Sequence, residues 1–212
     1  MPLVLLEEIN EDVCWGLWNI CEETQDLIQK LDVSDEELDF LSNIHHPIKK
    51  NESLAARLVL KYILEKWGII YPGIWKDEFD KPHLRHLTYH ISLSHAKDYG
   101  VAIIHKTRSV GIDMELIRDK LFRIENKFLS SEELKNTAKN LDKMTILWAG
   151  KEAIYKLYGK KKLTFNQDMQ SKAFELKAKG KIKAYLKPET EEEQILELCY
   201  LKYQDYYVAY VF

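Results

Sequence analysis

The sequence predicts an α+β fold: a pseudo-dimer of two similar α/β subdomains, with the active site expected in the cleft between them. Three observations carry this expectation. The 212 residues are 46% hydrophobic, enough for one large core or two small ones. Asp98-Tyr99-Gly100-Val101-Ala102-Ile103-Ile104 resembles Asp205-Tyr206-Tyr207-Val208-Ala209-Tyr210-Val211, each an Asp-Tyr turn leading into a β-rich run. Strand, helices and closing hairpin also recur in the same order in residues 1–106 and 107–212, with residues 3–7 corresponding to 110–114. Clefts between subdomains are favoured ligand sites.

Residues 3–9 form a short apolar strand candidate. Helical patterns are expected over 19–31 and 34–41, with Asp32 to Ser34 supplying the turn and cap between them. Apolar residues at Leu54, Leu58, Val59, Tyr62, Ile63 and Trp67 have the spacing of an amphipathic helix over 53–67, which Gly68 would stop. Residues 69–86, rich in aromatic, charged and turn residues, are expected as loop. Residues 89–93 and 99–105 then suit two β segments joined by a polar turn. In the second half, a strand around Asp113 precedes helical patterns over 130–141 and 142–158. The lysine-rich stretch from Lys172 to Lys187 and the acidic one from Glu189 to Glu193 are expected to form a solvated β-hairpin.

Composition excludes several classes. Lys plus Arg total 31 against 34 Asp plus Glu, a net charge of −3, so no whole-molecule attraction to nucleic acid or an anionic membrane is expected. No stretch approaches the ~20 apolar residues of a spanning helix, and no signal-like leader is expected, which places the protein in the cytoplasm. Cys14, Cys21 and Cys199 form no C-x-x-C pair and are expected as buried thiols.

Two motifs carry chemistry. Asp113 and Glu115 stand two apart in Gly111-Ile112-Asp113-Met114-Glu115, in a segment suited to a strand, so both carboxylates project from one face. Glu152 and Lys156 are four apart in the helical pattern of Trp148-Ala149-Gly150-Lys151-Glu152-Ala153-Ile154-Tyr155-Lys156 and share a face. Three acids can hold Mg²⁺ through oxygen while Lys151 and Lys156 offer cations to phosphate oxygens, a set suited to chemistry on a pyrophosphate. Lys151 points about a third of a turn away from that face. Each pair taken alone more often marks a solvated surface. Trp148 suits the core better than an adenine platform, and the run His83, His86, His90 and His95 lacks the second ligand cluster of a zinc site.

Together with Asp80-Lys81-Pro82 and Ile91-Ser92-Leu93-Ser94-His95, these motifs resemble the 4′-phosphopantetheinyl transferases, specifically the long Sfp-like branch. The resemblance implies a pseudo-dimeric fold and a reaction in which coenzyme A is split at its pyrophosphate. Phosphopantetheine passes to a serine of an apo acyl or peptidyl carrier protein, and 3′,5′-ADP leaves. It implies Asp113, Glu115 and Glu152 as Mg²⁺ ligands, Glu152 as acceptor of the serine proton, and Lys151 and Lys156 as the motif's lysines. Ser94 and His95 match the region that contacts coenzyme A phosphate, although Ala96 stands where the family often has serine. Lys81 and Pro82 match a pair that lies along the nucleotide. Arg57, with Lys49 and Lys50 ahead of it, resembles the basic residues that read the nucleotide end.

Carrier docking is expected after the first motif, at Arg118, Lys120, Arg123 and Lys127, with Leu121 and Phe122 as apolar anchors. One chain of this length is expected to work as a monomer. Two alternatives share the same residues: a non-catalytic module that binds coenzyme A or a nucleotide, and a Mg²⁺-dependent pyrophosphohydrolase.

Overall fold

The computed structural model describes every residue except Met1, Val33, Lys161 and Thr190. Its contacts divide the chain into two units, Met1–Val110 and Gly111–Phe212. The boundary expected after residue 106 falls in the loop that precedes Gly111.

The first unit begins with β1 (Leu3–Asn10) and β2 (Val13–Asn19), an antiparallel hairpin. Its turn is closed by the Asn10 side chain, which accepts from the backbone N–H groups of Asp12 and Val13. β2 departs from expectation. Val13 to Trp18 are all buried, so the strand is apolar on both faces and lacks the alternation that marks a half-exposed one. The helix expected from residue 19 therefore starts later, as α1 (Thr24–Leu31). α2 (Asp35–Ser42) follows, with Ser34 as its N-cap accepting from the Glu37 N–H.

α3 (Pro47–Lys66) starts six residues earlier than its apolar spacing suggests, with Pro47 in the first turn, where its missing N–H costs no intrahelical bond. Gly68, just past the helix, has φ 72°. The expected loop over 69–86 contains a small hairpin, β3 (Ile74–Lys76) with β4 (Pro82–Leu84), before β5 (His90–Ala96) and β6 (Tyr99–His105). The sheet order is β1-β2-β6-β5-β4-β3. α3 lies across it so closely that a Cβ at Gly100 would stand 2.5 Å from the Ala56 backbone nitrogen. Leu54, Leu58, Ile91, Ala102 and Ile104 belong to the core between them.

The second unit opens with β7 (Gly111–Leu116), a 3-10 turn (Asp119–Arg123) and α4 (Glu125–Phe128). α5 (Ser131–Thr137) is nucleated by a capping box in which Ser130 and Glu133 exchange side-chain and backbone bonds. α6 (Leu141–Tyr158) is capped by Asn140 and ended by left-handed Gly159. α7 (Phe165–Asp168), β8 (Met169–Ser171), β9 (Lys179–Leu186), β10 (Gln194–Tyr203) and β11 (Tyr206–Val211) complete it. The sheet runs β7-β11-β10-β9-β8, and α6 packs on it through Ala149, Ala153, Ile154 and Leu157. The lysine-rich stretch supplies β9, which pairs antiparallel with β10, but Glu191 to Glu193 precede β10 and do not form the partner strand.

The two units share a plan: a long helix packed on a sheet whose last two strands form a hairpin. The register corrects one detail of the expected repeat. β2 lies beside β6 as β7 lies beside β11, so the counterpart of the Asp113 strand is residues 13–19. The segment 3–7 belongs to an added edge strand. Cys14 and Cys199 are buried, but Cys21 is exposed, against the expectation of three buried thiols. Among the described residues, no helix is long and apolar enough to cross a membrane.

Candidate active site

β7 is an edge strand paired, among the described residues, with β11 alone, Asp113 facing Ala209 and Glu115 facing Tyr207 across the ladder. Its period of two puts Gly111, Asp113 and Glu115 on one face. α6 crosses that face. A Cβ at Gly111 would lie 1.8 Å from the Ala153 carbonyl oxygen, so only a glycine permits this approach. One turn of α6 thereby brings Glu152 and Lys156 to the two acids of β7.

The Lys156 ammonium donates to Asp113 Oδ1 at 2.8 Å and to the Ile112 carbonyl at 3.1 Å. Glu115 Oε1 accepts from the Trp148 indole N–H at 2.8 Å, and Lys120 Nζ stands 3.8 Å from Oε2. Burial pushes the Glu152 carboxyl up to about 7; the charges of Asp113 and Glu115 push the same way, against the pull of Lys156. Burial also raises Glu115, as does the Asp113 charge, against the Trp148 hydrogen bond. The acids are thus close enough to repel one another, a cost that a bound cation would relieve.

Three carboxylates are hard oxygen donors of the kind Mg²⁺ takes. Among the described residues, no three His, Cys, Asp or Glu side chains are gathered around a common metal position. Asp113, Glu115 and Glu152 suit such an ion by donor type and by their mutual repulsion.

Lys151 departs from its expected role. Its side chain is 2% exposed, and its ammonium donates to Glu133 Oε2 and to the carbonyls of Phe128, Phe165 and Met169. Four acceptors use up the three protons of an ammonium. Glu133 in turn accepts from the Ser171 N–H and hydroxyl and from the Ser130 N–H. Lys151 is therefore a buried staple of the second unit and has no donor left for coenzyme A.

The first-unit residues fall into separate settings. Arg57 is 6% exposed on α3 and donates to Glu37 at 2.8 Å and to the Ser53 carbonyl and hydroxyl. Tyr71 donates to the same Glu37 oxygen. The Arg57 bonds commit its Nε and Nη1 to partners within the first unit. Lys81 and Pro82 lie on the small hairpin, where Pro82 pairs with Lys76 and burial lowers the Lys81 ammonium.

Ser94 and His95 are not on a loop, as expected, but are consecutive in β5. Consecutive strand residues point to opposite faces, so the buried Ser94 and the exposed His95 do not meet one anion side by side. His95 Nδ1 instead lies 3.0 Å from Glu52 Oε2 of α3, with Lys49 Nζ 2.8 Å from the same oxygen. His83 contacts Asp77 and stacks on Trp75, which scatters the histidine run.

Sequence reasoning passed over Glu133, Glu52 and the indole bond of Trp148. The Ser130-x-x-Glu133 spacing could have pointed to the first as a cap, but nothing local marks the other two. Leu121, expected as a docking anchor, is 1% exposed, and Phe122 is partly buried against the core of its unit. Neither is an open apolar knob.

The second unit is thus an α+β domain with a carboxylate-rich, lysine-flanked site at one sheet edge. Residues 109–211, which are almost the whole second unit, match the model of the 4′-phosphopantetheinyl transferase superfamily. No curated protein matched the chain.

Proposed function

We propose that the chain is a 4′-phosphopantetheinyl transferase of the long branch, which moves phosphopantetheine from coenzyme A to a serine of an apo carrier protein. The convergence of Asp113, Glu115, Glu152 and Lys156 where α6 crosses β7 supports this reading most directly. In the proposed reaction the serine oxygen bonds to the phosphorus that carries pantetheine. The bridging P–O bond breaks, and its electron pair leaves with 3′,5′-ADP.

Asp113, Glu115 and Glu152 would hold Mg²⁺, which supplies positive charge against the pyrophosphate oxygens. Lys156 steadies Asp113 and offers its ammonium to a phosphate oxygen. Glu152 accepts the serine proton, directly or through water. Lys81, Pro82 and His95, with Arg57 if released from Glu37, are proposed to contact the nucleotide. Arg118, Lys120, Arg123 and Lys127 are proposed to meet the acidic carrier. We place this activity in the cytoplasm.

The test incubates the protein with coenzyme A, Mg²⁺ and apo carrier proteins and measures carrier mass. One added phosphopantetheine per carrier is expected, and none when Mg²⁺ is chelated. Coenzyme A binding without transfer would mark a binding module, and cleavage at one rate with or without carrier would mark a pyrophosphohydrolase. Asp113→Ala and Glu152→Ala should each lower transfer by at least ~100-fold while retaining the wild-type circular dichroism spectrum. Near-normal transfer by either variant would refute the site.

A further inference from the structure

We infer that Trp148 is a positioning residue for Glu115: its indole N–H holds one carboxylate oxygen and so sets which way the other faces. This rests on the reading of Glu115 as a cation ligand.

Trp148 Nε1 lies 2.8 Å from Glu115 Oε1. The indole cannot easily turn away, because Phe128 meets it edge-on at 5.1 Å and Phe165 packs at 5.6 Å. Lys151 fixes the backbone of both neighbours by donating to the Phe128 and Phe165 carbonyls. The staple of the unit thus frames the ring that holds the acid.

The spacing in α6 adds a second argument. Trp148 and Glu152 are four residues apart on one face, so one helical turn carries both an acid of the site and the donor that steadies another. A free glutamate has several rotamers, and Lys120 Nζ stands 3.8 Å from Oε2 as a competing partner. An indole is a donor without positive charge. It restrains Glu115 without opposing a cation, whereas a lysine at the same place would do both. Restraint of this kind by an outer hydrogen bond is how metal-binding carboxylates are usually oriented. Trp148 is thus bonded to the site, beyond the plain core role its sequence position suggests.

The test compares wild type with Trp148→Phe, which keeps an apolar ring and deletes the donor. Free Mn²⁺ is measured by electron paramagnetic resonance, and tryptophan N–H signals by ¹H–¹⁵N spectroscopy. Trp148→Phe is expected to bind Mn²⁺ about 10-fold more weakly or worse, with an unchanged unfolding transition. In wild type, the Trp148 N–H should exchange with solvent more slowly than that of exposed Trp75 and should shift when Mg²⁺ is added. Equal Mn²⁺ affinity in the two proteins would overturn the assignment. If the variant does not fold, wild type decides alone: a Trp148 N–H that exchanges as fast as that of Trp75 overturns the hydrogen bond. Failure of wild type to bind Mn²⁺ would sink the cation reading and this assignment with it, while protection of the indole would separate that failure from a wrong geometry.

Discussion

Lys151 is the neighbour of Glu152 in the chain, yet its ammonium serves the fold. Its transfer from water is offset by Glu133 and three carbonyls; burial lowers its pKa, and Glu133 pulls the other way. Lys151→Met should therefore cost roughly 3–5 kcal/mol of stability, because it strands the buried Glu133 carboxylate. The folded fraction should keep the wild-type KM for coenzyme A. Denaturant unfolding and steady-state kinetics check both parts, and a raised KM with unchanged stability would restore Lys151 to the ligand. Gly111 is the second residue on which the site turns. In Gly111→Ala the new methyl meets a backbone carbonyl rather than a yielding side chain, so α6 must lift from β7. A loss of about 3 kcal/mol or more is expected, at the upper end for overpacking, together with loss of transfer. Wild-type stability in that variant would contradict the close crossing.

The legibility of each element followed from its exposure. α6 was readable from the helical spacing of Glu152 and Lys156 within its motif, and β6 because an Asp-Tyr turn introduces an apolar run. β2 was not, since a strand buried on both faces leaves no alternation, and its Trp15-Gly16-Leu17-Trp18 core run resembles no single period. The segment after β7 shows the opposite error. Its sequence suggests Leu121 and Phe122 as apolar anchors, but the 3-10 turn rolls Leu121 into the core and leaves Arg118, Lys120 and Arg123 as its polar part. The carrier docking proposed for this segment would then be mainly electrostatic. Charge reversal at Arg118 and Arg123 should raise the KM for carrier by at least ~5-fold and leave that for coenzyme A near wild type. The effect should shrink as salt is added. Equal changes in both KM values would remove this segment from carrier recognition.

Across the whole molecule the repeat is unequal in chemistry. Asp113 opposite Ala209 corresponds to Gly16 opposite Ala102, and Glu115 opposite Tyr207 to Trp18 opposite Gly100. The acids therefore exist in one unit only, and the matching strand of the other is spent on packing. Because both units lie in one chain, a single copy is expected to be active. Sedimentation should give the mass of one chain at assay concentrations, and activity that falls with dilution more steeply than enzyme concentration would argue for assembly.

What the sequence by itself determined was the class of fold, the two acid and lysine motifs, and the face each presents. Those depend on the periods of strand and helix, which are local. Only the tertiary structure decided which charged groups meet. Lys151 and Lys156 look alike in the motif, but five residues turn them to different sides of α6. One is enclosed by Glu133 and main-chain carbonyls, while the other faces Asp113. Ser94 and His95 are neighbours in sequence and are parted by the pleat. Trp148 and Glu115 stand 33 residues apart and are joined by one hydrogen bond. Such pairings depend on how helix and sheet pack, because charge and hydrogen bonding act over a few ångströms of space and take no account of distance along the chain.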